Sequence, residues 1–573
     1  MWKAVRRASL LCLVAAVIAA GCHTSGKDPE PFNPRAFTVR EREAAPGNQM
    51  RPVRPLPTTL ESPYIEQPAS TQSNKYPPAT GPALDASPTI RMSLREIVGR
   101  AVANNHQVRV AGFQPAIDET RITEAQARFD PTFFTNFTYS DQVTLSPSQQ
   151  NVNLQPGQAF GFRTYSADIG IRQDLPTGGR IEAKYTPSRT HESFPSPTFI
   201  NPNPFWTSNL GLQLTQPLLR DFGWGINQAR ISIARNNQQI SLLDFRNELE
   251  KVLRDIEDNY WQLVQAEGEA AVADQLLSET LRTADLLIKR RTQDVTRVEI
   301  SQTNAAVETR RAVLIRARAR VRDFSDTLKG LMGDADLPVA GRTLILPATV
   351  PLEEQIRMNL EDQIATAMDN RFEVGQQQLR IDSANTAAKV GKNNLLPQLN
   401  AVGSVGIEGL GGTLGDAVED QFSLDHPSWS LGVQFEFPFG NRGARAIYKR
   451  TLLQRQQAIA GYQDAVDKVS VDVKTAWREV QTTWEEIYAT RKARFAAADA
   501  LRAIQQREEG GEALTYTFVD LKLTTQARYA EAQQSEVQAI ANYNRALSRL
   551  EFAKGTILRY NNVVMEEAPI QRY

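Results

Sequence analysis

The sequence predicts a mainly α fold with membrane β, in which a duplicated unit of long helical hairpins carries amphipathic strands. Three observations predict it. Prolines vanish from Leu218 to Leu337 and again from Phe439 to Ala568, and because an interior proline breaks the helical hydrogen-bond ladder, two such tracts mean long helices. The stretches before the tracts alternate apolar with polar residues, the period of a strand. Finally, the landmarks Asn104, Val108 and Pro131 return as Asn370, Val374 and Pro397 at one constant offset of 266, which marks an internal repeat.

Composition excludes several functions. The 573 residues balance Lys+Arg against Asp+Glu at 65 each, so there is no basic surplus to neutralise phosphates and no nucleic-acid partner is expected. Cys12 and Cys22 are the only cysteines, and the body of the chain therefore has no disulfide and no thiolate metal site. His23, His106, His191 and His426 are isolated and no G-x-S-x-G occurs, so an enzyme is not expected, nor a cofactor or a metal.

The chain opens as an address. Lys3, Arg6 and Arg7 precede an apolar run from Ala8 to Ala20 that is too short to span a bilayer, and residues 1–21 read as a signal peptide. The run closes on Ala19-Ala20-Gly21-Cys22, similar to a bacterial lipoprotein cleavage site, which would make Cys22 an acylated (palmitate-bearing) anchor. Cleavage without a lipid is the other reading, since Ala19 stands where a larger aliphatic is usual. Gly21 to Lys27 spells G-x-x-x-x-G-K, but Asp28 stands in place of the magnesium-holding hydroxyl, and the match is chance. Thirteen prolines between His23 and Pro88 predict a disordered tether over 22–90.

Residues 91–341 form the first repeat and 342–560 the second, followed by a tail at 561–573. Each repeat reads as helix, strands, long helical hairpin. In the first hairpin Leu249, Val252, Ile256, Tyr260, Leu263, Ala266, Ala270 and Ala273 step by three or four, which is seam spacing with alanines that allow close backbones. A helix from about Asn227 to Asp294 is expected. The second hairpin repeats the seam with Val466, Val469, Val473, Trp477, Val480, Trp484 and Ile487. Strand periodicity covers Thr132 to Tyr139, Leu210 to Leu214, Leu399 to Ile407 and Leu431 to Phe437. The first copy holds about 45 more residues between Pro131 and Pro217, reading as Ile169/Ile171, the turn Asp174-Leu175-Pro176-Thr177-Gly178-Gly179-Arg180, then Ile181/Ala183/Tyr185. That predicts about four strands in the first copy against two in the second.

Duplicated amphipathic strands and very long Ala-rich helices behind a secretion signal resemble the outer-membrane efflux protein family, over about residues 91 to 560. The most family-like string is Thr515-Tyr516-Thr517-Phe518-Val519-Asp520-Leu521, answered in the first copy by Thr296-Arg297-Val298-Glu299-Ile300. Four to six strands cannot close a barrel alone, so the chain must oligomerise. The resemblance implies a homotrimer with a shared β-barrel of twelve strands, or up to eighteen, continued by a helical α-barrel. Its function would be a passive exit duct across outer membrane and periplasm, lipid-anchored in the outer membrane. A periplasmic adaptor and an inner-membrane transporter would be its partners, in a tripartite efflux or type I secretion system.

The same resemblance assigns Asp520, Thr515 and Thr517 to the entrance and gate. It gives the adaptor-contacting hairpin tips to Gln293, Asp294, Arg297, Glu299, Tyr516 and Phe518. Phe205, Trp206, Trp429 and Phe437 stand at strand ends, where a membrane protein places belt aromatics. Arg316, Arg318, Arg320 and Arg322 are scattered around a helix by their spacing of two, and read as a solvated, salt-bridged face. A periplasmic adaptor or a structural coiled-coil envelope lipoprotein is the alternative function. The first predicts a single hairpin, and the second leaves the alternating strands without a purpose.

Overall fold

The computed structural model describes residues 37–41, 88–145, 159–193, 202–290 and 296–567. They fall into two compact units: 115–240 with 377–461, and 37–114 with 241–376 and 462–567. In chain order the elements begin with β1 (Phe37–Glu41), β2 (Thr89–Met92), α1 (Leu94–Asn104), α2 (His106–Gln126), β3 (Thr132–Leu145), β4 (Ala159–Asp174), β5 (Arg180–Ser193) and β6 (Phe205–Pro217). The first hairpin follows as α3 (Ala229–Lys289) and α4 (Arg297–Met332), then β7 (Leu344–Pro347). The second copy supplies α5 (Leu360–Asn370), α6 (Phe372–Asn393), β8 (Gln398–Gly411), α7 (Leu414–Ser423), β9 (Pro427–Glu436), the hairpin α8 (Arg442–Glu509) and α9 (Tyr516–Ala553), and β10 (Val563–Glu567). Among the described residues no helix is long and apolar enough to cross a membrane.

The duplication is visible to the residue. The bounds of α1 and α5, and those of β3 and β8, differ by the same 266 positions. Each copy breaks its leading helix after an asparagine, and each break is held by the next residue. Asn105 donates from its side chain to the Leu331 carbonyl (2.6 Å) and accepts from the Val108 amide (3.0 Å), while Arg371 reaches Glu373 (2.9 Å) and Asp472 (3.2 Å). Asn105 thereby caps α2 through the Val108 amide, whereas Arg371 also reaches the Phe552 and Ala553 carbonyls at the end of α9.

In the first unit, one antiparallel sheet has the order β3-β4-β5-β6-β8-β9. Residues alternate sides along a strand, and the register lines up two opposite rows. Phe133, Phe137, Tyr139 and Val143 on β3 continue through Ile169 and Ile171, Ala183 and Tyr185, Leu210 and Leu212, and Val405, to Trp429, Leu431, Val433 and Phe435 on β9. The other row is polar and joined by hydroxyl pairs across strands: Thr164 with Thr190 (3.2 Å), Ser188 with Thr207 (2.6 Å) and Ser404 with Ser430 (2.8 Å). The apolar row is open, with Trp429 78%, Leu431 77% and Phe137 75% exposed. Helix α7 covers only the end of that row. It sits so close that a Cβ on Gly409 would lie 2.1 Å from the Ala417 carbonyl oxygen, and Gln421 joins the buried Ser208 at 2.6 Å.

The second unit is built on helical seams. Leu249, Val252, Leu253, Ile256, Tyr260 and Leu263 of α3 pack with Val321, Leu328 and Met332 of α4 and with Ile345 of β7, which pairs in parallel with β2. A parallel core of Val469, Val473, Val480 and Ile487 on α8 meets Ile540, Tyr543, Leu547 and Leu550 on α9. The buried Tyr260 hydroxyl donates to the Met92 carbonyl (3.2 Å) and accepts from the Ala348 (3.1 Å) and Thr349 (2.8 Å) amides. Asp258 of α3 holds Arg545 of α9 through both oxygens (2.7 and 3.1 Å), and Arg549 joins Asp258 (3.3 Å) to Glu479 of α8 (2.6 Å). A two-pronged guanidinium contact fixes direction as well as distance.

One expectation needs correction. Phe37–Glu41, inside the tether expected to be disordered over 22–90, is a strand paired with β10 in the C-terminal tail, and its Phe37, Thr38 and Val39 are residue types that favour strands. The helix expected from about Asn227 to Asp294 is present from Ala229 and is described to Lys289, and Asp294 lies outside the described residues. The rest of 22–90, apart from 88–90, and the whole of 1–21 lie outside the described residues.

Two stability tests follow. Tyr260→Phe removes the buried hydroxyl that accepts from the Thr349 amide, while the Ala348 amide keeps the Met92 carbonyl (3.0 Å), and should cost about 1 kcal/mol, read as a lower thermal midpoint by circular dichroism at 222 nm. Glu250 of α3 is fully buried, neither carboxylate oxygen has a hydrogen bond, and Arg246 lies 3.5 Å away. Burial pushes its carboxyl up to about 7. An unfolded glutamate titrates near about 4.3, so the folded state binds the extra proton between those values and stability falls as pH rises from about 4.3 to 7. Glu250→Gln should flatten that fall and raise the midpoint at pH 8; an unaltered pH profile would show that Glu250 does not carry it.

Candidate functional site

The turns of the two hairpins are the sequence-assigned site, and both begin from helix caps. In the first, the Thr296 hydroxyl accepts from the Val298 amide (3.2 Å), and Glu299 reaches back to accept from the Thr296 amide (3.0 Å) and hydroxyl. This capping box satisfies otherwise orphaned donors of α4, and the Thr296 hydroxyl lowers the Glu299 carboxyl below its ordinary value. In the second, Thr515 caps α9 by accepting from the Phe518 amide at 3.4 Å, and its hydroxyl lies 3.1 Å from that of Thr517. The connection from Gly510 to Thr515 turns at Gly511, whose φ of 85° suits glycine. It is pinned on one side by Arg507 on Glu512 (2.7 and 2.5 Å). On the other, Lys522 binds Glu508 through both oxygens at 2.7 Å.

Beneath the caps lies a small apolar core of Leu287, Ile504, Leu514, Phe518, Val519 and Leu523. Phe518, expected at the adaptor-contacting tip, is therefore buried at 3% exposure. The string Phe518-Val519-Asp520 turns its two apolar members inward, because adjacent helical residues are only 100° apart, and leaves Asp520 outside. Glu299 is likewise committed to its cap. Arg297 and Tyr516 are exposed, as are Thr515 and Thr517. Gln293, Asp294 and Cys22 lie outside the described residues.

Asp520 is not a free carboxylate. It accepts a 2.7 Å hydrogen bond from the Gln302 side chain of α4, which ties one hairpin to the other. Deeper, Arg310 of α4 donates to the Leu523 carbonyl (2.7 Å), the Gln526 side chain (3.2 Å) and the Thr280 hydroxyl. Burial lowers its pKa from the usual guanidinium value. Sequence reasoning passed over both residues. Gln302 has no local signal, but Arg310 had one: it lies on the seam Thr303, Val307, Arg310, Leu314, Ala317, Val321, whose other members are all buried. Among the four arginines weighed instead, Arg318 pairs with Asp274 (3.0 Å) and Arg320 with Glu269 (2.8 Å), as a salt-bridged face requires.

The expected belt aromatics divide by face. Trp206 and Trp429 stand on the apolar row, and Phe437 continues its alternation just past β9. Phe205 is opposite Thr190, on the polar row, so one residue of register removes it from a lipid-facing belt.

Residues 364–556 match the family model described as outer membrane efflux protein. Among solved structures, a membrane protein from Pseudomonas aeruginosa superposes with a TM-score of 0.57 at 17% identity, covering 86% of this chain and 99% of that one. The open-state MtrE outer membrane channel of Neisseria gonorrhoeae gives 0.57 at 17% identity over 87% and 98%. The Campylobacter jejuni CmeC outer membrane channel gives 0.57 at 14% over 88% and 94%. At these identities the likeness shows a shared fold. No curated protein matches the chain.

Arg310→Met would remove every polar contact between this side chain and α9, each worth about 1.5–3 kcal/mol for a charged donor. Amides of the first turns of α9, residues 516–526, should then exchange hydrogen at least about tenfold faster. Unchanged exchange would mean that Arg310 does not hold the hairpins together.

Proposed function

We propose that this chain, whose residues 364–556 match the outer membrane efflux protein family model, is the outer-membrane exit duct of a tripartite efflux or type I secretion assembly. One observation carries the reading: a six-stranded sheet with an exposed apolar row, an opposite polar row and, among the described residues, two unpaired edges, β3 and β9. In water such a face would aggregate and such edges would pair with other chains. In lipid the apolar row is solvated, the polar row faces a water-filled lumen, and each edge finds its partner in the next copy. An adaptor or a coiled-coil envelope protein has no use for such a sheet.

On this reading the chain is a homotrimer, and its hairpin tips meet a periplasmic adaptor and, through it, an inner-membrane transporter that supplies the energy. Cys22 is the acylated anchor in the outer membrane. Asp520 forms a ring of three carboxylates at the entrance, favouring cations, and Gln302 holds each member in place. Arg297, Tyr516, Thr515 and Thr517 supply the exposed tip surface. Trp206, Trp429 and Phe437 lie at the membrane boundary. Catalysis has no part in this function, since selection and energy reside in the transporter.

Purified protein should run as a heat-resistant trimer and conduct ions in planar bilayers. Asp520→Ala should lower cation preference severalfold, and Gln302→Ala should raise the current by loosening the ring. A soluble, non-conducting monomer would reject the duct, while unchanged selectivity and current in both variants would remove Asp520 from its entrance.

A further inference from the structure

The two copies of the repeat differ most in their strands. After β8 the second copy crosses by α7 to β9, and β8 pairs directly with β9, from Gln398↔Glu436 to Ile407↔Pro427. The first copy reaches the same point at the end of β3, which matches β8 in length and offset, yet β3 does not pair with β6. The hairpin β4–β5 stands between them.

That hairpin is a full part of the sheet. β4 pairs with β3 from Thr132↔Arg172 to Leu145↔Ala159, the whole length of β3, and β5 pairs with β6 from Arg180↔Thr215 to Thr190↔Phe205. Its turn is closed by Leu175 and Gly179 (2.7 Å) and by Gly178 and Leu175 (2.8 Å), with Gly178 at φ 95°. The hairpin also obeys the two-faced rule of its neighbours. Tyr165, Ile169, Ile171, Ala183 and Tyr185 extend the apolar row, while Asp168, Arg172, Glu182, Lys184 and Thr186 extend the polar one. Within the polar row Asp168 accepts from Thr186 (2.8 Å) and lies 3.6 Å from Lys184.

We propose that β4–β5 is a wall insertion that widens the outer-membrane pore: three copies close an eighteen-stranded barrel with the hairpin's charged row in the lumen, sized for large hydrated solutes. The inference rests on the duct reading above. Without the hairpin each copy would offer β3, β6, β8 and β9, and a trimer would have twelve strands. With it, the number of strands per copy is still even, so β9 runs antiparallel to the β3 of the next copy, and both edges present their aromatic rows on the same side. Strands spaced about 4.8 Å apart and tilted about 40° give a backbone diameter of about 36 Å for eighteen and about 24 Å for twelve. Lining side chains take about 10 Å of either, so the open lumen nearly doubles in width, into the range of wide aqueous porins.

Full-length trimers in detergent, imaged by electron cryomicroscopy, should show a barrel of about 36 Å backbone diameter, and a diameter near 24 Å overturns the proposal. Thiol labelling in vesicles gives an independent reading. Lys184→Cys should react with a water-soluble methanethiosulfonate through the lumen, whereas Tyr185→Cys should be shielded by lipid. Equal reactivity at both positions, or a Thr138→Cys/Asn209→Cys disulfide joining β3 to β6 within one chain, would place the hairpin outside the wall. A conducting trimer with either result overturns this inference alone; a soluble, non-conducting monomer overturns the duct as well.

Discussion

A strand in lipid has no water to satisfy its amides and carbonyls, and on the proposed duct reading the first unit is organised around that constraint. Among the described residues its sheet pairs every internal strand along nearly full length but leaves β3 and β9 open, and the apolar row on one face is uncovered except where α7 caps its end. On that reading both features are resolved by the same step, closure with further copies of the chain inside a membrane. The even strand number makes head-to-tail repetition antiparallel throughout, so the requirement is met without any change in the sheet itself.

The second unit solves a different problem with different chemistry. Long helices with narrow apolar seams bury little area per residue, and alanine-rich seams bury less still. Directional polar contacts therefore take on the task of fixing one helix against another: Tyr260 gathers three backbone groups, Asp258 collects Arg545 and Arg549, and Arg310 reaches α9 from within the seam of α4. These contacts specify register, which a uniform apolar seam leaves free to slide. At the tips Gln302 and Asp520 add one exposed hydrogen bond between the hairpins.

Fold class was legible because its signals are periodic. Proline-free tracts, seam spacing and strand alternation each sum over many residues, and the offset of 266 survives because both copies obey the same backbone constraints. The candidate site was legible only in outline. Tip residues could be located by their place in the motif, yet whether each faces in or out depends on one-residue differences in helix phase, which put Phe518 in the core and Asp520 outside it. Phe205 shows the same sensitivity in a strand. Gln302, with no periodic signal, could be found only through its partner on another helix.

The sequence by itself determined the repeat, the two kinds of element and their order, since proline positions and apolar periods act locally on the backbone. It also carried the surplus of the first copy as a strand, a turn and a strand. Only the tertiary structure decided where that hairpin goes, between β3 and β6 with both faces in phase, because strand pairing is a long-range choice among edges that look alike locally. The same holds for Arg310 and for the bond between Gln302 and Asp520. Each joins residues more than 200 positions apart in sequence, and no local pattern encodes which of many polar side chains will meet once the hairpins pack.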